Sequence, residues 1–454
     1  MKQYKTALHI FRRDLRLQDN TALQEALKNA TQVIPCFILD PRQVSENKFK
    51  SDNAIEFMLK SLEELNAELS KKKSELYIFH GQTEQILKKI KKEIDIDLVT
   101  FNHDYTPFSK KRDEGIIKFC QKEKIECLPF HDALLHEPDA ILKSDKTPYK
   151  VFTPYLRSAR KKKIREAARN SFSNYYSKKI KSSEPKGVLK KFLKHDNKNI
   201  KVKGGRKEGV RLLKKATSLK DYKTLRDFPK KDNTTHLSAH NKFGTVSIRE
   251  VYYVLRKARQ SDIITELHWR DFFTKILYYF PHALTKSFQE KYDKITWSKS
   301  EKNFTAWKEG KTGFPIVDAG IRELNATGYM HNRVRMITAS FLVKDLHINW
   351  QWGEKYFAQK LVDYDPAVNN GNWQWVASTG CDAQPYFRIF NPWSQQKKFD
   401  PDCIYIKKWV PELKNISPKE IHNLFKNDVA IEGYPTQIVE HKAQAVKTKK
   451  LFQS

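Results

Sequence analysis

The run Thr6-Ala7-Leu8-His9-Ile10-Phe11 is short and apolar, and a second run, Val33-Ile34-Pro35-Cys36-Phe37-Ile38-Leu39, repeats its character. Between them Ala22–Ala30 has the composition of a helix. Residues 5–40 therefore read as strand, helix, strand, the unit from which parallel sheets are built. The pattern continues outward. Asn53–Ser70 carries Ile55, Leu59, Leu62 and Leu65 at spacings of three and four, the period of an amphipathic helix. Leu76–Phe79 and Leu98–Phe101 are further short strands, with a helix over Glu84–Lys92 between them. Such alternation predicts an α/β domain with a doubly wound parallel sheet, closing near residue 132.

Beyond it the character changes. Residues 160–231 hold 26 Lys or Arg against 6 Asp or Glu, a net of +20, with few apolar residues and a helix-breaking Gly204-Gly205. Much of this stretch reads as a long, partly solvated connector. From about Ser247 the pattern becomes long and helical. The expected division is an α/β domain at 1–132, a basic connector at 133–215 and a helical domain at 216–454. All nine Trp fall between Trp269 and Trp409, more than a core needs, which suggests an aromatic-lined pocket or a redox role.

Composition narrows the partners. A chain of 454 residues is too long for one core, so two or more domains are expected. No apolar run reaches the roughly 18 residues that span a bilayer. The start, MKQYKTALHIF, is charged too early for a signal peptide, so a soluble, cytoplasmic protein is expected. The five cysteines form no CxxC pair and read as free thiols in a reducing compartment. No cluster of His and Cys has zinc-site spacing. A formal charge of +32 attracts polyanions, nucleic acid first and an anionic membrane surface second. Gly310-Lys311-Thr312 looks like the end of a P-loop, but Thr305 stands where its first glycine belongs, and no GxGxxG follows the first strand.

Two kinds of motif carry a family resemblance. Phe11-Arg12-Arg13-Asp14-Leu15-Arg16-Leu17-Gln18-Asp19-Asn20 resembles the opening signature of the photolyase and cryptochrome family. Asn369-Asn370-Gly371-Asn372-Trp373-Gln374-Trp375-Val376-Ala377-Ser378-Thr379-Gly380, continuing through Pro385–Pro392, resembles the flavin-domain signature of class I cyclobutane-dimer photolyases. So does Gly328-Tyr329-Met330-His331-Asn332-Arg333-Val334-Arg335-Met336. The resemblance runs from residue 6 to about residue 443 and implies an all-α, FAD-binding C-terminal domain behind the α/β domain.

The resemblance assigns roles to individual positions. Thr234, Thr235, His236, Leu237 and Ser238 match the segment that holds the FAD diphosphate, with His236 where the family usually has Arg, and Tyr222 matches a nucleotide contact. Hydroxyls and backbone N–H groups suit phosphate oxygens. Asp363 and Asp365 match carboxylates near the adenosine and the isoalloxazine edge, and Arg335 the partner of the first. Asn369 matches the amide that faces flavin N5. Trp297, Trp350 and Trp373 match a tryptophan chain that carries electrons from the surface to the flavin. Glu266, Trp269 and Arg270, on one helical face, match the lesion pocket, which Asn332, Met336 and Trp375 complete. Arg226, Arg333 and Gln395 match DNA contacts.

The implied activity is light-driven repair of cyclobutane pyrimidine dimers in ultraviolet-damaged DNA. The dimer is flipped out of the duplex, excited reduced FAD passes it an electron, the ring opens and the electron returns. The implied enzyme is a monomer. The alternatives are a cryptochrome, whose signalling members often carry long tails where this chain ends soon after Val439-Glu440-His441-Lys442, and repair of the (6-4) photoproduct, whose enzymes have His at the place of Met336. Tyr329 stands where the family usually has Trp. A second, antenna chromophore is implied, methenyltetrahydrofolate or 8-hydroxy-5-deazaflavin. The folate pattern needs an Asn-Glu pair where this chain has Phe108-Ser109, so weak or absent folate binding is expected, with Phe108 free to stack on a flat ring.

Overall fold

The structure is a computed structural model and describes residues 2–185, 187–193, 196–426 and 431–453; Lys186, Lys194 and His195 of the basic connector lie outside the described residues. The chain forms two compact units. The first comprises Met1–Asp196, Val202–Ser218 and Thr235–Pro281, the second Asn197–Lys201, Leu219–Thr234 and His282–Ser454.

The first unit is built on five strands, β1 (Tyr4–Phe11), β2 (Ala30–Leu39), β3 (Tyr77–His80), β4 (Leu98–Asn102) and β5 (Glu126–Phe130). They lie in the order β3-β2-β1-β4-β5, every pairing parallel. The doubly wound sheet is thus present, with β1–β4 at the apolar runs. β5 escaped the sequence reading because ECLPF is half-exposed, short and interrupted by proline. The winding direction reverses between β1 and β4, and a sheet of this kind opens its ligand crevice at the carboxyl ends of those strands.

The arginines of the opening signature close the loops around that edge. Arg16 reaches Asp132 at 2.5 Å, and Arg249 holds both Asp19 (2.8 Å) and Asp132 (2.6 Å), all four side chains being buried. Burial alone would raise the Asp132 carboxyl, but the two guanidiniums outweigh it and hold it well below the usual range. Arg12 pairs with Asp113 at 2.7 Å. Part of the basic stretch is anchored rather than solvated. Tyr175 pairs with Val33 beside the sheet, Tyr175, Tyr176 and Ile180 are buried, and Arg206–Ala216 is a helix. Its start is set by Gly205, whose φ of 105° only glycine adopts readily.

The second unit is helical. Glu301–Glu309, Pro315–Thr327, Asn332–Ser340, Trp350–Lys360, Pro366–Ala377 and Pro392–Phe399 are its main helices. Pro315, Pro366 and Pro392 each occupy a first turn, where the missing N–H costs nothing. Gly310 and Gly328 end their helices in the left-handed conformation, so the P-loop-like Gly310-Lys311-Thr312 is a turn between helices. Trp307, Trp350, Trp373 and Trp393 are all in the core. Among the described residues no helix is long and apolar enough to cross a membrane.

Candidate functional site

The helix Pro366–Ala377 organises the second unit's polar core. Its N-cap is Asp365, whose carboxylate accepts from the Ala367 and Val368 amides at 3.0 and 3.3 Å. Positions 365, 369 and 373 follow at intervals of four, which stacks them along one helix face. Asn369 directs its Nδ2 to Glu354, donating to the carbonyl at 3.1 Å and to Oε1 at 3.2 Å. Glu354 is buried, and burial, opposed only by the Asn369 hydrogen bond, pushes its carboxyl up to about 7. With the amide nitrogen engaged, Asn369 presents its oxygen, an acceptor, to whatever lies in front of it.

Glu354 sits one turn beyond Trp350, and the glycine between them sets the packing. A Cβ on Gly353 would lie 2.2 Å from Cη2 of Trp373, so the backbone of this helix rests against the indole. Trp350 and Trp373 are each 2% exposed. Trp297 is half-buried against the same core. Its neighbour Ser298 donates to the His347 carbonyl at 2.7 Å and bridges to Ile348, which ties Trp297 to the segment leading into Trp350. The three tryptophans of the sequence reading are thus brought into one hydrophobic cluster, graded from half-exposed to buried.

A second polar line runs beside them. Arg335 clasps Asp363 through two nitrogens, at 3.2 and 3.0 Å, and its Nε donates to the Met330 carbonyl at 2.7 Å. The Asp363 side chain is 5% exposed, and a buried carboxylate needs such a partner. The Arg335 guanidinium lies over the Tyr329 ring, 5.5 Å from its centre. The Tyr329 hydroxyl lies 3.5 Å from Oγ1 of Thr234. Thr234, Tyr329, Arg335 and Asp363 therefore form one connected chain. Tyrosine at 329 adds a hydroxyl that tryptophan would lack, and that hydroxyl reaches Thr234.

Comparison with known proteins gives the family. Residues 7–171 match the DNA photolyase family, and residues 263–454 match the FAD binding domain of DNA photolyase. A deoxyribodipyrimidine photo-lyase of Alkalihalophilus pseudofirmus is 38% identical over 97% of this chain and 96% of its own. The chain belongs to the DNA photolyase family. Its backbone is similar to an archaeal photolyase of Sulfolobus tokodaii solved with two FAD molecules (TM-score 0.91, 44% identity, 99% of each chain covered). It is also similar to a class III photolyase of Agrobacterium tumefaciens (TM-score 0.93, 33% identity, 100% of this chain and 98% of that one).

In this photolyase-family chain the remaining residues of the sequence reading divide between the units. The second unit holds Tyr222, Arg226, Asn332, Arg333, Met336, Trp375 and Gln395. Arg226 lies over the Tyr222 ring at 5.7 Å. Asn332 and Met336 touch, Nδ2 to Sδ, at 3.8 Å. Arg333 pairs with Asp227 at 2.7 Å and covers Phe399 at 4.4 Å. Trp375 is half-buried on the same helix as Trp373. Gln395 lies on Pro392–Phe399. The first unit holds Thr235, His236, Leu237, Ser238, Glu266, Trp269 and Arg270. His236 is in the left-handed conformation (φ 53°). Trp269 stacks on Phe152 with ring centres 3.5 Å apart, so one indole face is already covered. Arg270 donates to the Ala133 and Asn241 carbonyls at 2.7 and 3.2 Å.

At the crevice edge of the first unit, Phe108 is covered by Arg42, whose guanidinium lies 5.0 Å from the ring centre. Ser109 is buried and donates to Asp104 at 3.1 Å. Burial would raise the Asp104 carboxyl, but Arg13 and Arg112 hold it down at about 2. Sequence reasoning missed Glu354. Its one signal was an acidic residue a single turn after Trp350, among Trp, Gly, Tyr and Phe.

Proposed function

We propose that this chain repairs cyclobutane pyrimidine dimers in DNA, using light and an electron from reduced FAD. The observation that carries the reading is the helix Pro366–Ala377, which stacks Asp365, Asn369 and a buried Trp373 on one face. Family membership and the names of the curated relatives support it. The donor set fits FAD. In the second unit, Asp363, clasped by Arg335, offers a fixed acceptor for adenosine hydroxyls, and Tyr222 and Thr234 suit the nucleotide; in the first unit, Thr235, His236, Leu237 and Ser238 have the hydroxyls and backbone N–H groups that suit a diphosphate. FAD, when bound and reduced, supplies light absorption and the electron that opens the cyclobutane ring. With Nδ2 held by Glu354, Asn369 Oδ1 would be the atom to accept a hydrogen bond from an N–H of the bound flavin. Arg335 gives the buried Asp363 carboxylate its charge partner. Trp297, Trp350 and Trp373 load electrons from the surface. The resemblance gives lesion contacts to Asn332, Met336 and Trp375 in the second unit and, separately, to Glu266, Trp269 and Arg270 in the first; Arg226, Arg333 and Gln395 of the second unit suit DNA contacts that position without reading sequence.

The Sulfolobus tokodaii structure, with its two FAD molecules, supports a second chromophore here as well. A flat tricyclic ring, flavin or deazaflavin, suits Phe108 better than folate does, because Ser109 is buried in the helix cap and offers no carboxylate. The test of the main reading is cofactor release and lesion binding. Denatured protein should release FAD, and a dimer-containing duplex should bind more tightly than the same duplex undamaged. Protein that releases no flavin and binds both duplexes alike would contradict it.

A further inference from the structure

The five cysteines sit in unlike surroundings. Cys36, Cys120, Cys381 and Cys403 are buried, and Cys127 is half-buried. Cys120 lies in the last turn of the helix Pro107–Lys122, and Cys127 follows on β5, paired with Val99 of β4. Between them Lys124 turns the chain in the left-handed conformation (φ 56°), and the Ile125 amide donates to the Cys120 carbonyl at 2.9 Å. β5 is thereby folded back along the helix. Both cysteines pack into one hydrophobic cluster, and their thiols hydrogen-bond to each other.

We propose that Cys127 is a peroxide-reactive thiol and that Cys120 resolves it, closing a reversible disulfide between the helix Pro107–Lys122 and β5. The Cys127 thiolate attacks one oxygen of hydrogen peroxide. An S–O bond forms, the O–O bond breaks, and the departing hydroxide takes up a proton to become water. Sulfur has then lost two electrons and stands as a sulfenic acid. The Cys120 thiol attacks that sulfur, the S–S bond forms, and its proton leaves with the sulfenic oxygen as a second water. A soluble dithiol reverses the step by thiol–disulfide exchange. The bond ties β5 to the helix whose first turn carries Phe108 and Ser109.

The surroundings fix which thiol attacks and which resolves. Cys120 has no exposed surface and is the worse place for a charge, so it keeps its proton and donates it to the Cys127 sulfur. That hydrogen bond, helped by the positive charge of Arg12, holds the Cys127 thiol below its ordinary range. Asp113 and Glu126 oppose the shift, but Asp113 is itself paired with Arg12 at 2.7 Å. Cys36 is the contrast. It also feels Arg12, yet full burial outweighs that charge and pushes its thiol up. A partly exposed thiol with thiolate character beside a resolving partner is the setting of oxidisable cysteines, whereas buried thiols without a charge partner are inert.

The test treats the native, reduced full chain with stoichiometric hydrogen peroxide, alkylates the remaining thiols and maps tryptic peptides by mass. Cleavage at Lys122 and Lys124 separates the two cysteines, so the disulfide appears as a cross-linked pair lighter by two hydrogen atoms than the sum of its peptides. Wild type should give the Cys120–Cys127 cross-link while Cys36, Cys381 and Cys403 stay alkylated, and dithiothreitol should reverse it. Cys120→Ser should instead leave Cys127 as a sulfenic acid that dimedone traps. Cys127→Ser should give neither product. No cross-link in wild type, a dimedone adduct on Cys120 in Cys127→Ser, or loss of Cys36, Cys381 or Cys403 as fast as Cys127 would overturn the proposal. So would a cross-link that forms equally fast in urea, since sequence proximity alone would then explain it.

Discussion

Glu354 and Asn369 illustrate how a neighbour fixes the chemistry of a residue. The folded protein holds Glu354 protonated up to about 7, against 4.5 unfolded. Below 4.5 both states are protonated and the fold bears no charge cost. As pH rises from there to about 7 the unfolded chain ionises first, so stability falls. Asp271 and Asp345, both raised to about 6 by burial, act in the same direction, and a variant separates them. The denaturation midpoints of wild type and Glu354→Gln should therefore draw apart across that window, with wild type losing ground as pH rises. A constant offset would show that Glu354 is already ionised. Trp297→Phe should slow light-driven reduction of oxidised FAD while repair by chemically reduced protein stays near wild type; unchanged photoreduction would make Trp297 a packing residue. Asn369, Asp363 and the tryptophans stood out in the sequence because they lie in contiguous motifs. Glu354 did not, because what distinguishes it is a neighbour contributed by another helix.

At the scale of elements, the contact of Trp350–Lys360 with Pro366–Ala377 is governed by Gly353. Gly353→Ala forces a methyl into the Trp373 ring and should destabilise by about 1–3 kcal/mol, the usual cost of overpacking, with a changed near-ultraviolet circular dichroism of the indoles. An unaltered spectrum and midpoint would mean that the two helices separate easily. In the first unit, Asp132→Ala leaves Arg16 and Arg249 buried without their shared carboxylate. Breaking such a pair costs about 3–5 kcal/mol, which chemical denaturation would measure. The strands β1 to β4 were legible because each is a continuous apolar run between helical stretches. β5 was not, since an edge strand with one half-exposed face has no such run. The helix Arg206–Ala216 and the buried Tyr175, Tyr176 and Ile180 were hidden by the surrounding lysines, which dominate composition without dictating packing.

For the whole molecule, a charge of +32 makes DNA binding depend on salt, and specific residues tune it. Arg333→Ala should weaken damaged and undamaged DNA alike and lower the salt slope by about one. Asp227→Asn releases Arg333 from its 2.7 Å ion pair and should tighten both; lesion-selective effects would place Arg333 in the pocket instead. Reconstitution with methenyltetrahydrofolate should leave no stoichiometric folate after gel filtration. The central claim is repair itself. Reduced, FAD-loaded protein mixed with dimer-containing DNA should convert the dimers to pyrimidines under blue or near-ultraviolet light and leave them intact in darkness. Equal dimer counts before and after illumination would contradict the account.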